Sequence, residues 1–302
     1  MFRSAPLPFV ILAALLLLPS SAAWSQEGLK VYISADMEGL TAVVTGEQLG
    51  PDGFEYQKAR EWLTLEVNAA IEAAQAAGAT EIVVSDSHGN MQNILPDLLP
   101  RGVKLVRSSP RPLSMMQGID ESFDAVLLIG YHSSTTNPRG VRAHTFSSGT
   151  FTAVRLNGVA VPEAVFSAAI AGHFGVPVVM ISGDDAAVEE ARWHLGNLEG
   201  AVLKWTYGFH SALMVTPQEG REIIGQTVEA ALGRLDQFRP FRLEGAVRLE
   251  VSLKNYMAAE LLSYLPGVDR VDSHTIAFTG EDILEVSRFL AFMTRYRPDI
   301  TP

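Results

Sequence analysis

The sequence predicts an α/β protein with a largely parallel sheet and flanking helices, followed by a smaller C-terminal α+β domain. Short apolar runs alternate with helical patterns over the first two thirds of the chain, which is typical of βαβ units. Residues 124–130 are nearly all apolar, as expected of a parallel strand covered on both faces. From about residue 201 this alternation is replaced by a mixed order of helices and strands.

The α/β domain is predicted to span residues 26–200. Its helices are bounded by stop and start signals such as Gly78, Pro162 and Gly175. Its predicted strands are residues 29–35, 81–86, 103–106, 124–130, a hairpin over 151–161 that turns at Asn157-Gly158, and 176–182. Its predicted helices are residues 55–77, 162–175 and 183–195.

The smaller α+β domain is predicted to span residues 201–302. A capping box, Thr216 with Glu219, starts a long helix that runs to about residue 235. The remaining predicted elements are strands near 246–252 and 270–278, a short helix around 256–264, and a last helix over 281–296.

Composition restricts the chemistry. The 302 residues include no cysteine, which excludes disulfides, thiolate metal sites and cysteine nucleophiles. Any metal must therefore be bound by His, Asp and Glu. The net charge of −11 repels phosphate backbones, so nucleic acid is not an expected partner.

Residues 1–25 are predicted to be a secretory signal peptide. Arg3 supplies the positive start, residues 9–18 the apolar stretch, and residues 20–25 a zone of mostly small residues with cleavage after Ala23 or Ser25. A retained membrane anchor is the alternative, but it needs about 20 apolar residues and this run has about half that number. We therefore expect a secreted or periplasmic product without a stable membrane anchor.

Candidate metal ligands follow several predicted strands. Asp36 and Glu38 come just after the first strand, at a spacing that places both side chains on one side of an extended backbone. Asp86 and His88 repeat this spacing at the end of the second strand, and His132 follows the fourth. A single carboxylate pair is more often a solvated loop, but ligands in open α/β sheets bind at the carboxyl ends of strands. The repetition therefore favours one shared site.

Two further residues extend this set. Glu163 lies in the first turn of a predicted helix, where it is either a ligand or a complement to the helix dipole. His144 is a ligand, a general acid or base, or a surface histidine. Five imidazole and carboxylate ligands suit zinc, manganese or a related ion, and they suit a bridged pair better than one catalytic zinc with three ligands. The other histidines, His173, His194, His210 and His274, are interpreted as structural.

Six short motifs occur in a fixed order between about residues 29 and 185. They are Asp36-Met37-Glu38-Gly39, Ser85-Asp86-Ser87-His88, Gly130-Tyr131-His132, His144 between Val141 and Thr145, Asn157-Gly158 followed by Glu163, and Gly183-Asp184-Asp185. In this order they resemble the D-aminopeptidase (DppA-like) family of zinc metallopeptidases. The match is only general in the C-terminal domain and is loose over residues 204–212.

The resemblance implies two zinc ions per chain, with Asp36, Glu38, His88, His132 and Glu163 as their ligands, one carboxylate bridging, and His144 in a direct catalytic part. It implies a metal-dependent aminopeptidase that hydrolyses short peptides, such as D-Ala-D-Ala, with a zinc-activated water. It also implies ring-shaped homo-oligomers, decamers in the type member. The type enzyme is cytoplasmic, whereas this chain begins with a predicted signal.

Two other functions compete with this interpretation. A two-metal phosphoesterase would use a similar ligand set. Against it, the sequence shows no Arg/Lys clamp around the strand ends that carry these candidates, although Arg107, Arg111, Arg139 and Arg142 are not far away in sequence. A periplasmic peptide-binding or metal-binding protein would also fit the signal and the α/β pattern, because fold does not determine function.

Overall fold

The computed structural model describes residues 1–2 and 28–296, which form two β-sheets with six α-helices. The strands are β1 (Leu29–Ala35), β2 (Ala79–Asp86), β3 (Lys104–Val106), β4 (Ala125–Tyr131), β5 (Phe151–Leu156), β6 (Val159–Ala160), β7 (Val178–Asp184), β8 (Glu199–Gly208), β9 (Ser211–Met214), β10 (Val247–Leu253), β11 (Val268–Arg270) and β12 (Thr275–Gly280). The helices are α1 (Tyr56–Ala76), α2 (Glu163–His173), α3 (Asp185–Leu195), α4 (Pro217–Leu232), α5 (Tyr256–Leu262) and α6 (Ile283–Arg295).

The first sheet has seven strands in the order β3-β2-β1-β4-β7-β8-β9. Its first six strands are parallel, and β9 adds an antiparallel edge. Strands β4 and β7 are buried along their whole length, as parallel strands flanked by helices must be. The predicted fold class is therefore confirmed. In register, Ala35 at the end of β1 pairs with Asp86 of β2 and Ile129 of β4, so three carboxyl ends are level with one another.

The second sheet has five antiparallel strands in the order β11-β12-β10-β5-β6. The predicted hairpin, β5 and β6 with its turn at Asn157-Gly158, belongs to this sheet, where Leu156 of β5 pairs with Leu249 of β10. The predicted domain boundary at residue 200 falls within β8, which is part of the first sheet. Strands β5 and β6, before residue 200, belong to the second sheet, whereas β8 and β9 belong to the first. The division into two domains at residue 200 stays a prediction.

Most predicted elements agree with the structure to within a few residues, but β8 and β9 were not predicted. The predicted strand over 270–278 is divided into β11 and β12. The predicted signal peptide falls almost wholly on residues 3–27, outside the described part. Within residues 1–2 and 28–296, no helix has the length and hydropathy needed to cross a membrane.

Candidate metal centre

Three adjacent strands deliver the central ligands. Because the ends of β1, β2 and β4 are level, Asp36, His88 and His132 follow them at one edge of the sheet. The sequence interpretation assumed an extended backbone after Asp36, but the chain turns there. The turn brings the N–H of Gly39 to the carbonyl of Gly130 at 2.7 Å. A Cβ at position 39 would lie 2.0 Å from the carbonyl oxygen of Tyr131, so only glycine permits this close approach.

Backbone carbonyls orient the three histidines at this edge. His88 donates from Nε2 to the carbonyl of Leu49 at 2.8 Å, His132 from Nδ1 to Ser133 at 3.0 Å, and His144 from Nδ1 to Arg142 at 2.8 Å. A carbonyl only accepts hydrogen bonds, so the proton of each neutral ring must lie on the nitrogen that faces it. The opposite nitrogen of each ring then presents a lone pair, as in a metal-ligating histidine.

These opposite nitrogens all face carboxylates. His88 Nδ1 lies 3.1 Å from Asp36 Oδ1 and 2.9 Å from Glu38 Oε2. His132 Nε2 lies 3.3 Å from Asp36 Oδ2 and 3.4 Å from Glu163 Oε1. His144 Nε2 lies 3.8 Å from Glu38 Oε1 and 3.7 Å from the same oxygen of Glu163.

The six side chains form two groups that could each bind a cation. One group is Asp36, Glu38 and His88, and the other is His132, His144 and Glu163. Asp36 directs Oδ1 to His88 of the first group and Oδ2 to His132 of the second, so its carboxylate joins the two groups. The rings of His132 and His144 stack in parallel with centroids 4.1 Å apart. The stack therefore brings His144 to the same side of the cluster as His132.

Among the buried side-chain atoms of the described residues that have no hydrogen-bond partner, two belong to the cluster, Asp36 Oδ2 and His132 Nε2. Buried polar atoms are nearly always paired, so such a facing acceptor and lone pair indicate a ligand between them. Carboxylate oxygens combined with imidazole nitrogens are a donor set that suits zinc and related ions. The residues therefore fit a metal centre.

The carboxylates and histidines of the cluster shift one another's pKa values. Burial raises the pKa of Asp36, and the nearby charge of Glu38 adds to the effect. Burial alone would lower the pKa of His88, but the carboxylates of Glu38 and Asp36 outweigh it and raise that pKa well above its ordinary value. His132 is raised in the same way against burial, chiefly by Glu163. A cation that binds here would have to displace these protons, so its affinity is expected to fall as the pH falls.

Residues outside the cluster support its loops. Asp86, at the end of β2, accepts from the backbone N–H groups of Asn93 and Ile94, so it stabilises the loop after His88 and does not join the cluster. Lys204 of β8 is fully buried and donates to the carbonyls of Glu38, Leu40 and Val43. Burial lowers the pKa of Lys204 to about 8, so its ammonium group still carries a charge at pH 7.

A cavity of about 390 Å³ opens beside the cluster. Its wall includes two arginines, Arg142 and Arg295. It also includes five side chains of the cluster: Asp36, Glu38, His88, His144 and Glu163. This volume is near the lower end of the range for small-molecule sites, about 300–1,000 Å³. The site thus combines a buried cation-binding cluster with room for a small ligand.

Residues 29–292 match the family model described as D-aminopeptidase, peptidase family M55. The chain belongs to the M55 peptidase family. The resemblance inferred from the order of the motifs is therefore confirmed, and it extends through the C-terminal region, where sequence inspection found only a general pattern.

Two comparisons agree with membership of the M55 family. The chain is 30% identical over 270 residues to a D-aminopeptidase of Bacillus subtilis (strain 168), covering 88% of this chain and 97% of that protein. It superposes with a TM-score of 0.85, at 30% identity and the same coverage, on the zinc-dependent D-aminopeptidase DppA from Bacillus subtilis, described as a self-compartmentalizing protease.

All six residues singled out from the sequence lie in this M55 site, and their roles as ligands or catalyst stay predictions. Sequence reasoning missed Lys204, although a lone lysine after the apolar run Ala201-Val202-Leu203 was a usable signal. It also missed His210, interpreted as structural background, which lies 3.1 Å from the guanidinium of Arg142. The carbonyls that orient the histidines have no signal in residue type, because every residue has one.

Proposed function

We propose that this protein is a zinc-dependent aminopeptidase that removes the amino-terminal residue from short peptides, D-alanyl-D-alanine among them. The observation that supports it most is the pair of donor groups joined by the two oxygens of Asp36. Membership of the M55 family and the zinc dependence of the Bacillus subtilis relative point to the same reaction.

Two zinc ions per chain are proposed. Glu38 and His88 would hold one, His132 and Glu163 the other, with Asp36 between them. When bound, the ions supply Lewis-acid activation of water and of the scissile carbonyl. Burial of all five ligands excludes bulk solvent from this end of the cavity and strengthens every charge interaction there.

His144 is proposed as the group that moves the proton to the leaving amine. Its Nδ1–H is held by the carbonyl of Arg142, which leaves Nε2 directed toward Glu38 and Glu163. His144 also lines the cavity and its side chain is more exposed, at 12%, than that of His132, at 1%. It is thus the histidine best placed to meet a substrate.

Replacing His144 with alanine is expected to lower turnover by about 10²–10⁴-fold, the usual contribution of a general acid or base, while both zinc ions remain bound. Steady-state kinetics with metal content measured on the same sample tests this. Loss of one zinc ion from the His144→Ala protein would instead make His144 a ligand, which the short distances to Glu38 and Glu163 also permit.

Export and assembly are further parts of the proposal. Residues 1–25 are proposed to direct the chain to the periplasm or the outside of the cell. Mass spectrometry of the amino-terminal peptide of the exported protein tests this.

A homo-oligomer is proposed because the hairpin of β8 and β9 exposes five large apolar side chains, Trp205, Tyr207, Phe209, Leu213 and Met214. The DppA relative is described as self-compartmentalizing, and a decamer is the size that the family resemblance implies. Light scattering measures it.

The decisive experiment is hydrolysis of D-Ala-D-Ala and L-Ala-L-Ala with and without chelator, alongside metal content per chain. Chelator-sensitive release of alanine with about two zinc ions per chain is the expected result. Para-nitrophenyl phosphate serves as the control for a phosphoesterase. Its hydrolysis without peptide cleavage, or tight peptide retention without turnover, would contradict the aminopeptidase proposal.

A further inference from the structure

Arg142 has an unusual backbone. Its φ of 53° lies in the left-handed region, which is costly for a residue with a Cβ and which glycine adopts freely. Neighbours hold it in this state: its N–H donates to the carbonyl of Phe209 at 2.9 Å, and its guanidinium lies over the Phe209 ring, 5.2 Å from the centroid. Strain of this kind persists where the surroundings enforce it and is concentrated at functional sites. The side chain therefore needs an explanation.

The same residue faces the candidate metal centre in two ways. Its carbonyl orients His144, and its side chain lines the cavity beside the cluster. Its guanidinium has donors to spare: Nη1 lies 3.1 Å from His210 Nε2, and Nε is buried without a hydrogen-bond partner. A buried unsatisfied donor on a cavity-lining arginine indicates an acceptor supplied by a ligand.

The charges along the cavity are separated. Its three acids, Asp36, Glu38 and Glu163, all belong to the cluster of candidate metal-binding side chains. Apart from the cluster, the charged residues among those described on the wall are Arg142 and Arg295, both cationic. Arg295 comes from the end of α6 and donates to the carbonyl of Gly89 at 2.7 Å, which places a second guanidinium group near the loop of His88.

We propose that Arg142 binds the carboxyl-terminal carboxylate of the substrate and makes this cavity selective for short peptides with a free carboxylate. This inference rests on the proposed aminopeptidase function. A guanidinium group offers a planar fork of donors that matches a carboxylate, and the pairing is stronger in a partly buried site. A short peptide would then lie with its reacting end at the cluster and its carboxylate at Arg142.

The residues that hold Arg142 lie outside the motifs that this chain shares with the family. Arg142 is held by Phe209 and His210, which lie in the segment 204–212 where the sequence resemblance is loose. A hairpin outside the shared motifs thus controls the residue that meets the far end of the substrate.

The test compares D-Ala-D-Ala with D-Ala-D-Ala amide, which differ only in the terminal carboxylate. For the zinc-loaded wild type, kcat/KM is expected to favour the free acid by about 10–100-fold, mostly through KM. In Arg142→Met this ratio is expected to fall to near one, and in Arg142→Lys to be partly retained. The matched control is Arg139→Met, an exposed arginine paired with Glu189, which should keep the wild-type ratio.

The ratio separates binding from positioning. If Arg142 only orients His144, Arg142→Met lowers the rate on acid and amide equally and the ratio stays as in the wild type, which overturns the proposal. A wild type without preference for the acid overturns it as well. If the wild type hydrolyses neither compound, the aminopeptidase proposal fails. Calorimetry with the same two compounds then tests carboxylate binding by Arg142 separately. Tighter binding of the acid than of the amide, lost in Arg142→Met, supports it, and equal binding refutes it.

Discussion

Replacing His132 with alanine is expected to remove zinc and hydrolytic activity together. Its Nε2 lies between Asp36 Oδ2 and Glu163 Oε1, and no other side chain nitrogen of the described residues lies as close to both carboxylates. Without it, three buried carboxylates face one another with fewer partners, so the second ion loses a neutral ligand. We expect kcat/KM to fall by more than about a thousandfold, since a catalytic metal contributes several kcal/mol.

The measurement is zinc content by elemental analysis with peptide hydrolysis on the same preparation. The matched control is His173→Ala, because His173 lies exposed at the end of α2 and outside the cluster. A His132→Ala protein that lacks zinc and retains wild-type turnover would refute the metal mechanism. Retention of both ions would place His132 outside the ligand set.

Replacing Lys204 with methionine is expected to lower the free energy of unfolding by about 3 kcal/mol or more. Methionine matches the length of the aliphatic chain but leaves the carbonyls of Glu38, Leu40 and Val43 without their shared donor. Each buried unsatisfied acceptor costs about 1–3 kcal/mol, and removal of one buried charge leaves its partners uncompensated. Because this loop carries Asp36 and Glu38, zinc affinity is expected to fall as well.

Denaturant unfolding of the chelated and the zinc-loaded protein measures both effects. Lys58→Met is the matched control, since Lys58 is exposed on α1 and pairs with Glu61 only at the surface, where such pairs contribute little. An unchanged unfolding midpoint in Lys204→Met would show that water or neighbouring groups satisfy the three carbonyls and that the lysine does not support the loop.

The parallel sheet was predictable because its strands are apolar throughout and its helices carry clear end signals. Strand β1 has the predicted bounds, and α1 differs from its prediction by one residue at each end. Strand β8 was missed because its apolar run, residues 201–203, is short and is followed by the charged Lys204, which the structure buries. The partner of the predicted hairpin was not predictable either, because Leu156 pairs with a residue 93 positions later.

The candidate site was predictable as far as residue type and strand position carry information. Asp36, Glu38, His88 and His132 follow strand ends, and the general rule for α/β sheets brings such residues together. Arg142 was noticed only as a nearby arginine, because its position over Phe209 depends on β8 and β9, which the sequence pattern did not predict. Contacts between distant segments therefore account for most of what was missed.

The pairing of β5 with β10 has a consequence for biosynthesis. Glu163 follows the β5–β6 hairpin, and that hairpin joins a sheet whose other three strands lie between residues 247 and 280. During translation the hairpin emerges well before those partner strands exist, so the segment that leads into Glu163 has no sheet to join. A nascent chain is thus expected to leave Glu163 unsupported until β10, Val247–Leu253, is made, so peptide hydrolysis begins only after synthesis, when an exported chain folds.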